Sequence, residues 1–320
     1  MSACLSNDSN NISKISIFIN ECNRIGVQVL PPHVNKSGLA FTPIPENNQI
    51  LFGFLAIKGL GSSTVADILE HRPYTGFEDF LSKVPDRTAV ISLIKAGAIP
   101  TKSKSKLLLK YADMLFENKP YKPVSTYGTK AEMLHKWNIN VDDYLVGKKV
   151  DKKRVLEIYN DAKKKLYDAT QSERYEKHIT EFKEKYMQDE FMWEFQCLSM
   201  FITHDPLKEA WEYIKPWEDA EPDHDTTIVC VIVDIKNKKD KHGNLFAYLD
   251  LYTPFGMIEA TCWSRQRREF SHLIVKGNCL AMRGRKSEGS HFFVGSIKPY
   301  QEWVEDRKIK TKGGHKKSQI

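Results

Sequence analysis

Between residues 227 and 297 the hydrophobic positions fall into short runs whose period keeps changing. Residues 227–235 (TIVCVIVDI) are almost continuously β-branched, which predicts a buried strand. A charged, hairpin-like turn follows at 236–243. Residues 245–252 then alternate: Leu245, Ala247, Leu249 and Leu251 on one face, Phe246, Tyr248, Asp250 and Tyr252 on the other. A third strand is predicted at 257–263, a helix at 265–274, and two more strands at 278–284 and 291–297, joined around Glu288 and Gly289. Three strands, a helix and two strands in about eighty residues is the order of an OB barrel, an order that other small barrels share.

Upstream, Phe54, Ile57, Leu60, Val65, Ile68 and Leu69 keep helical spacing on either side of Gly59-Leu60-Gly61. This predicts two helices joined by a turn that needs positive φ or close backbone approach, which glycine supplies. Ser62, Ser63 and Thr64 offer N-cap chemistry for the second helix. Its unpaired first amides favour an anion, a phosphate suits them, and Lys58 adds charge beside them. Ala66 would let the two helices pack closely. The pattern h-x-x-h-x-G-h-G-x-x-x-x-A is that of a helix-hairpin-helix; an αα-hairpin that binds nothing shares its spacing. A dinucleotide-binding reading of the glycines fails, because helix-like sequence precedes them.

The rest divides by composition. Residues 1–14 read as a disordered polar tail and 15–100 as the hairpin domain. Residues 101–189 form a Lys/Glu-rich helical connector, with Val155, Ile158, Tyr159, Ala162 and Leu166 near helical spacing. Residues 190–225 are a linker segment, 226–303 the barrel and 304–320 a basic tail. The fold class is α+β: a helical hairpin domain, a Lys-rich helical connector, and a five-stranded OB-type barrel.

Charge and cysteines narrow the chemistry. In 320 residues, 48 Lys and Arg against 41 Asp and Glu give a net charge of +7, which permits a polyanion partner without requiring one. No apolar run reaches the ~18 residues of a membrane span, and residues 1–14 lack the apolar core of a secretory signal. The six cysteines include no C-x-x-C and the histidines no H-x-x-x-H, so free thiols are expected and a structural zinc is not. On the barrel, Phe246, Tyr248 and Tyr252, with Trp263 and either Phe292 or Phe293, are candidates for stacking on bases. Lys236, Lys238, Lys239, Lys241, Arg265, Arg267 and Arg268 are candidates to flank the same groove.

Several segments resemble the alpha subunits of bacterial DNA polymerase III, the C-family replicative polymerases. Phe18 to Cys22 and Leu30 to Ser37 are similar to the end of that family's fingers region. Ile50 to Gly61 resembles its x-x-G-L-x-A-I-K-G-V-G hairpin, Phe77 to Phe80 its F-x-D-F, and Leu93 to Ala98 its L-I-x-A-G-A. Trp193 to Leu207 resembles the approach to its OB domain, with Asp205 interrupting the His-Pro pair. The resemblance covers roughly residues 15–100 and 190–303 and agrees in order. The hairpin pattern itself places DNA contacts at Lys58, Gly59, Leu60, Gly61, Ser62 and Ser63. On the barrel, strand two as a usual OB binding surface makes Phe246 and Tyr248 the expected contacts, with Lys239, Lys241 and Arg265 flanking them.

The family joins nucleotides with three palm aspartates holding two Mg²⁺ ions. The nearest imitation here is Pro222-Asp223-His224-Asp225, which lacks the third carboxylate and reads as a solvated loop. No catalytic residue, metal site or cofactor is therefore expected in this chain. The expected roles are the DNA-binding C-terminal portion of a split alpha subunit, a stand-alone single-strand-binding accessory protein of replication, or an RNA-binding OB protein, which the matched hairpin disfavours. The first, and with it a phage or bacterial cytoplasmic setting at the replication fork, implies three partners: primer–template DNA, a separately encoded catalytic half and a sliding clamp. For the clamp, Tyr111 to Phe116 and Gln188 to Met192 each carry part of the family's short motif; an amphipathic helix end accounts for either as well.

Overall fold

The strictly alternating stretch and its β-branched neighbour do become paired strands, and they anchor the larger of two compact units. The computed structural model describes residues 1–7, 12–125, 137, 139–287 and 291–314. One unit comprises residues 1–102 and 189–320, the other residues 103–188. Among the described residues no helix is long and apolar enough to cross a membrane.

In the first unit, helices α1 (Ser2–Asn7) and α2 (Ile12–Arg24) precede a small sheet of β1 (Gln28–Leu30), β2 (Thr42–Ile44) and β3 (Gln49–Leu51). The sheet runs β1-β3-β2, with β1 parallel and β2 antiparallel to β3. The polar N-terminal segment was expected to lack structure. It carries α1 instead, because Leu5 finds a fully buried place.

Helices α3 (Ser62–Glu70), α4 (Phe77–Lys83) and α5 (Arg87–Ala96) follow. Asp86 caps α5, accepting from the amides of Thr88 and Ala89, and its other oxygen accepts from the Thr64 hydroxyl of α3 at 3.1 Å. One aspartate thus starts α5 and fixes it against α3.

The second unit holds α6 (Lys104–Glu117), the short pair β4 (Leu145–Val146) and β5 (Lys149–Val150), and two long helices, α7 (Lys152–Ala169) and α8 (Gln171–Tyr186). Only a narrow stripe of α7 is buried, at Val155 and Tyr159, and its five lysines with Arg154, Glu157, Asp161 and Asp168 lie along the rest.

Returning to the first unit, α9 (Trp193–Leu198) packs on α5 and leads to the barrel. Its strands are β6 (Asp225–Lys239), β7 (Leu245–Thr253), β8 (Gly256–Cys262), β9 (Cys279–Lys286) and β10 (Phe292–Pro299), with α10 (Ser264–Glu269) after β8. They close in the order β10-β8-β7-β6-β9; only the β10–β8 pair is parallel. Ile228, Cys230, Ile232, Ala247, Leu249, Leu251, Phe292 and their neighbours fill the interior. Trp217 plugs one end, 5.7 Å from Phe292, and the buried Lys286 ammonium holds it by donating to the carbonyls of Trp217 and Ala220. The expected turn at Glu288-Gly289 lies outside the described residues. Residues 304–320 were expected to be a basic tail; their first part lies in α11 (Tyr300–Gly314), which buries Tyr300, Trp303 and Val304, while 315–320 lie outside the described residues.

Candidate nucleic-acid interface

The hairpin is shorter than its spacing predicts. Before the glycines stands a single 3-10 turn, Phe54–Ala56, not a helix. Residues 49–51 are already committed to β3, which leaves no upstream turn to build one from. The 3-10 turn is pinned by Phe54 and Leu55 donating to the carbonyls of Gly38 and Leu39, and a Cβ on Gly53 would collide with the Ala40–Phe41 backbone. The Lys58 amide donates to the Cys197 carbonyl at the end of α9, which ties the hairpin to the approach of the barrel.

Gly59 has φ +87°, and a Cβ there would lie 2.5 Å from the Ser92 hydroxyl of α5. Gly61 is different: it is the N-cap of α3, extended at φ −80°, ψ 154°, with open space around it. Ser62 and Ser63 are therefore the first helical residues and do not cap, and Thr64 turns to Asp86. With no side chain on the cap, the amides of the exposed residues Ser62 and Ser63 lack an intrahelical partner. Lys58 is exposed and Leu60 is half-buried. Ala66 is exposed, so it plays no part in close packing.

On the barrel, an outward-facing row can be followed through the register. Asp225 lies opposite Arg285, Arg285 opposite Phe293, Phe293 beside Thr261, Thr261 opposite Tyr248, and Tyr248 opposite Lys236. The row starts and ends on β6 and crosses every other strand; at ~4.8 Å per strand its five steps span roughly 24 Å of curved surface. Directly opposed residues share a face. Ala260, Cys262 and Phe292 point into the core, so Thr261 and Phe293 point out.

Along the middle of this row the aromatic rings touch one another. Phe246 lies 5.4 Å from Tyr248 and 5.5 Å from Trp263, and Trp263 is stacked on Phe293 at 6.4 Å with a 12° tilt. His291 closes the cluster against Phe293 and Tyr248, its Nε2 2.7 Å from the Thr261 hydroxyl. Trp263, Tyr248 and Phe293 are 49%, 41% and 37% exposed, which is unusual for so many large rings side by side.

The structure separates the other candidates. Phe292 is fully buried, so Phe293 is the surface ring. Tyr252 was expected on this face but is buried between Phe195 and Phe201, and burial holds its hydroxyl well above the usual tyrosine range. Lys238 stands opposite Phe246, on the aromatic face, whereas Lys239 stands opposite Leu245, on the other side of the ribbon. Lys241 is exposed in the turn that Asp240 organises by accepting from the amides of His242 and Asn244. Arg265 is exposed on α10, lining an open groove with Asn244, Arg268 and Glu269. Arg267 reaches Asn237 at 3.3 Å. Lys236 pairs with Asp250 at 2.8 Å, and that hydrogen bond raises its ammonium above the ordinary lysine range.

Sequence reasoning passed over Arg283 and Arg285. Both are exposed on β9 and share the carboxylate of Asp225. Their bonds, that of Arg285 first, hold Asp225 below the usual carboxylate range. The acidic linker motif thus faces guanidinium groups. Of the two candidate clamp segments, Tyr111 and Ala112 are buried in α6, while Phe191 is exposed and Met192 buried.

A closed five-stranded barrel of OB type, preceded by a helix-hairpin-helix region, defines the class of protein. The helix-hairpin-helix motif family matches residues 26–107. Over 97% of its length the chain is 25% identical to the DNA polymerase III subunit alpha of Campylobacter jejuni, covering 25% of that protein. Over 92% it is 24% identical to the same subunit of Aquifex aeolicus, covering 23%. A shorter match, 31% of this chain and 8% of the relative, is 40% identical to that of Deinococcus radiodurans. The chain is similar along nearly all of its length to bacterial DNA polymerase III alpha subunits and spans about a quarter of the length of those relatives.

Proposed function

We propose that this chain is the DNA-binding portion of a replicative DNA polymerase III alpha subunit. The hairpin holds duplex phosphates through Lys58 and the amides of Ser62 and Ser63, a contact blind to base sequence. The barrel holds single-stranded template by stacking bases on Phe246, Tyr248, Trp263 and Phe293, flanked by lysines and Arg265. The observation that carries the proposal is the contiguous, exposed aromatic strip on an OB-type face with basic residues beside it. Similarity to alpha subunits along nearly the whole chain supports the replicative setting.

The deciding measurement is titration of a labelled single strand at several salt concentrations. Lys238→Ala removes a charge from the aromatic face and is expected to shallow the log–log salt slope by ~0.7, the share of a single neutralised phosphate. Lys239→Ala, on the other side of the ribbon, should change it less. Equal slopes for both variants and the wild type would remove the barrel's electrostatic role.

In this proposal the partners are primer–template DNA, a catalytic polypeptide bearing the palm carboxylates, and a sliding clamp. The purified chain is expected not to extend a primer with Mg²⁺ and nucleotides, and to co-purify with a palm-bearing polypeptide. Nucleotide incorporation by the chain alone would overturn the division of labour.

A further inference from the structure

The row across the barrel ends in a charged arrangement that the aromatic strip does not need for stacking. Arg285 lies opposite Phe293, so its side chain shares the outward face of the surface ring, and Asp225 lies opposite Arg285 in turn. Asp225 is shared. One oxygen accepts from the Arg285 Nε at 3.2 Å and the other from an Arg283 Nη at 3.1 Å. The three side chains are 67%, 65% and 47% exposed for Arg285, Arg283 and Asp225.

One carboxylate against two guanidinium groups leaves a net positive charge. The bonds to Asp225 use one donor on each arginine, out of five. Pairs this exposed are weakly held and readily exchanged. A phosphate is a stronger acceptor for arginine than a single carboxylate, with geometry matched to the guanidinium fork. A strand whose bases lie along Tyr248, Phe246, Trp263 and Phe293 would bring its backbone to this end of the row.

We propose that Arg283 and Arg285 form a phosphate seat at the β9 end of the aromatic strip, which the backbone of bound single-stranded DNA occupies in competition with the carboxylate of Asp225. This rests on the single-strand reading of the barrel face. In the free protein Asp225 keeps both guanidinium groups oriented and partly neutralised. On binding, the phosphate displaces it, and the unpaired carboxylate turns to solvent. Asp225 is then a positioning residue that also weakens binding, and its removal strengthens it.

The test is fluorescence titration of a labelled oligothymidylate with the full chain, at several salt concentrations, with melting curves for every variant. Asp225→Asn is expected to tighten single-strand binding about two- to fivefold and to steepen the salt slope, by at most ~0.7 for one more neutralised phosphate. In an Arg283→Ala/Arg285→Ala background that gain should vanish, because additive effects of distant charges would survive the double substitution. The arginine double variant alone should bind more weakly, with a shallower slope. A gain that persists without the arginines, or an Asp225→Asn chain unchanged in affinity and slope, would overturn the seat. The parent reading fails separately: a wild-type chain that does not bind the strand, or aromatic variants that bind it normally, would remove both. If Asp225→Asn melts early, Asp225→Ser takes its place in the same cycle.

Discussion

Replacing Phe246 and Tyr248 with alanine is expected to cost ~1–3 kcal/mol of single-strand affinity for each ring removed, roughly five- to 150-fold. The two rings are 5.4 Å apart, edge to face, and Phe246 also leans on Trp263. Their effects should therefore not add, because one ring's removal loosens its neighbour. The weakening should be nearly independent of salt, since a ring releases no counterion. Tyr252→Ala serves as the contrast. Tyr252 is buried against Phe195 and Phe201, so its truncation is expected to lower the melting temperature, and to reduce single-strand affinity only as far as folding suffers. A folded Phe246→Ala/Tyr248→Ala chain that binds a labelled single strand normally would remove the stacking role.

The barrel was legible in the sequence because its strands obey local rules. The β-branched run at 227–235 and the alternation of 245–251 need only a partner strand and a core, and each found both. What the pattern could not show was which outward positions a distant segment covers. Tyr252 continues the alternation of Phe246 and Tyr248, yet Phe195 and Phe201, some fifty residues upstream, close over it. The first helix of the hairpin failed for a related reason. Phe54 and Ile57 have helical spacing, but β3 just before them pairs with β1, twenty-one residues away in register, and a non-local ladder overrides a short local preference. Arg283 and Arg285 left only a faint signal, since alternation with Met282 and Gly284 is what any half-exposed strand shows. Their meaning comes from Asp225, which register alone brings opposite. Lys238 and Lys239 are indistinguishable as a charge run, and pairing with Phe246 or Leu245 decides which face each takes.

Gly59→Val is expected to disable the hairpin through its backbone, and Gly61→Val to do so while leaving the fold intact. The two glycines look equivalent in sequence but occupy different conformations. Gly59 sits at φ +87°, where a β-branched residue is strained by ~1–3 kcal/mol. Its new Cβ would also press on the Ser92 hydroxyl at 2.5 Å, an overpacking cost of ~1–3 kcal/mol. Rotation of the Ser92 hydroxyl can relieve the contact, but the strain at positive φ remains, and the Thr64–Asp86 bond and the Asp86 cap oppose its relief by a shift of α3 against α5. A lower melting temperature and weaker duplex binding should therefore appear together. Gly61 is extended, and beyond its chain neighbours the nearest atom to a Cβ there would be the Ser63 hydroxyl, at 3.9 Å. Stability should fall only slightly, by the few tenths to ~1 kcal/mol that separate a glycine from a poor N-cap. The isopropyl group would instead stand beside the amides of Ser62 and Ser63, in the space a phosphate would fill. Duplex affinity should drop without sequence bias, because phosphate contacts carry no base information, while single-strand binding on the barrel persists. Duplex titration beside melting curves reads both variants. A Gly61→Val chain with normal stability and normal duplex affinity would show that the exposed start of α3 holds no phosphate.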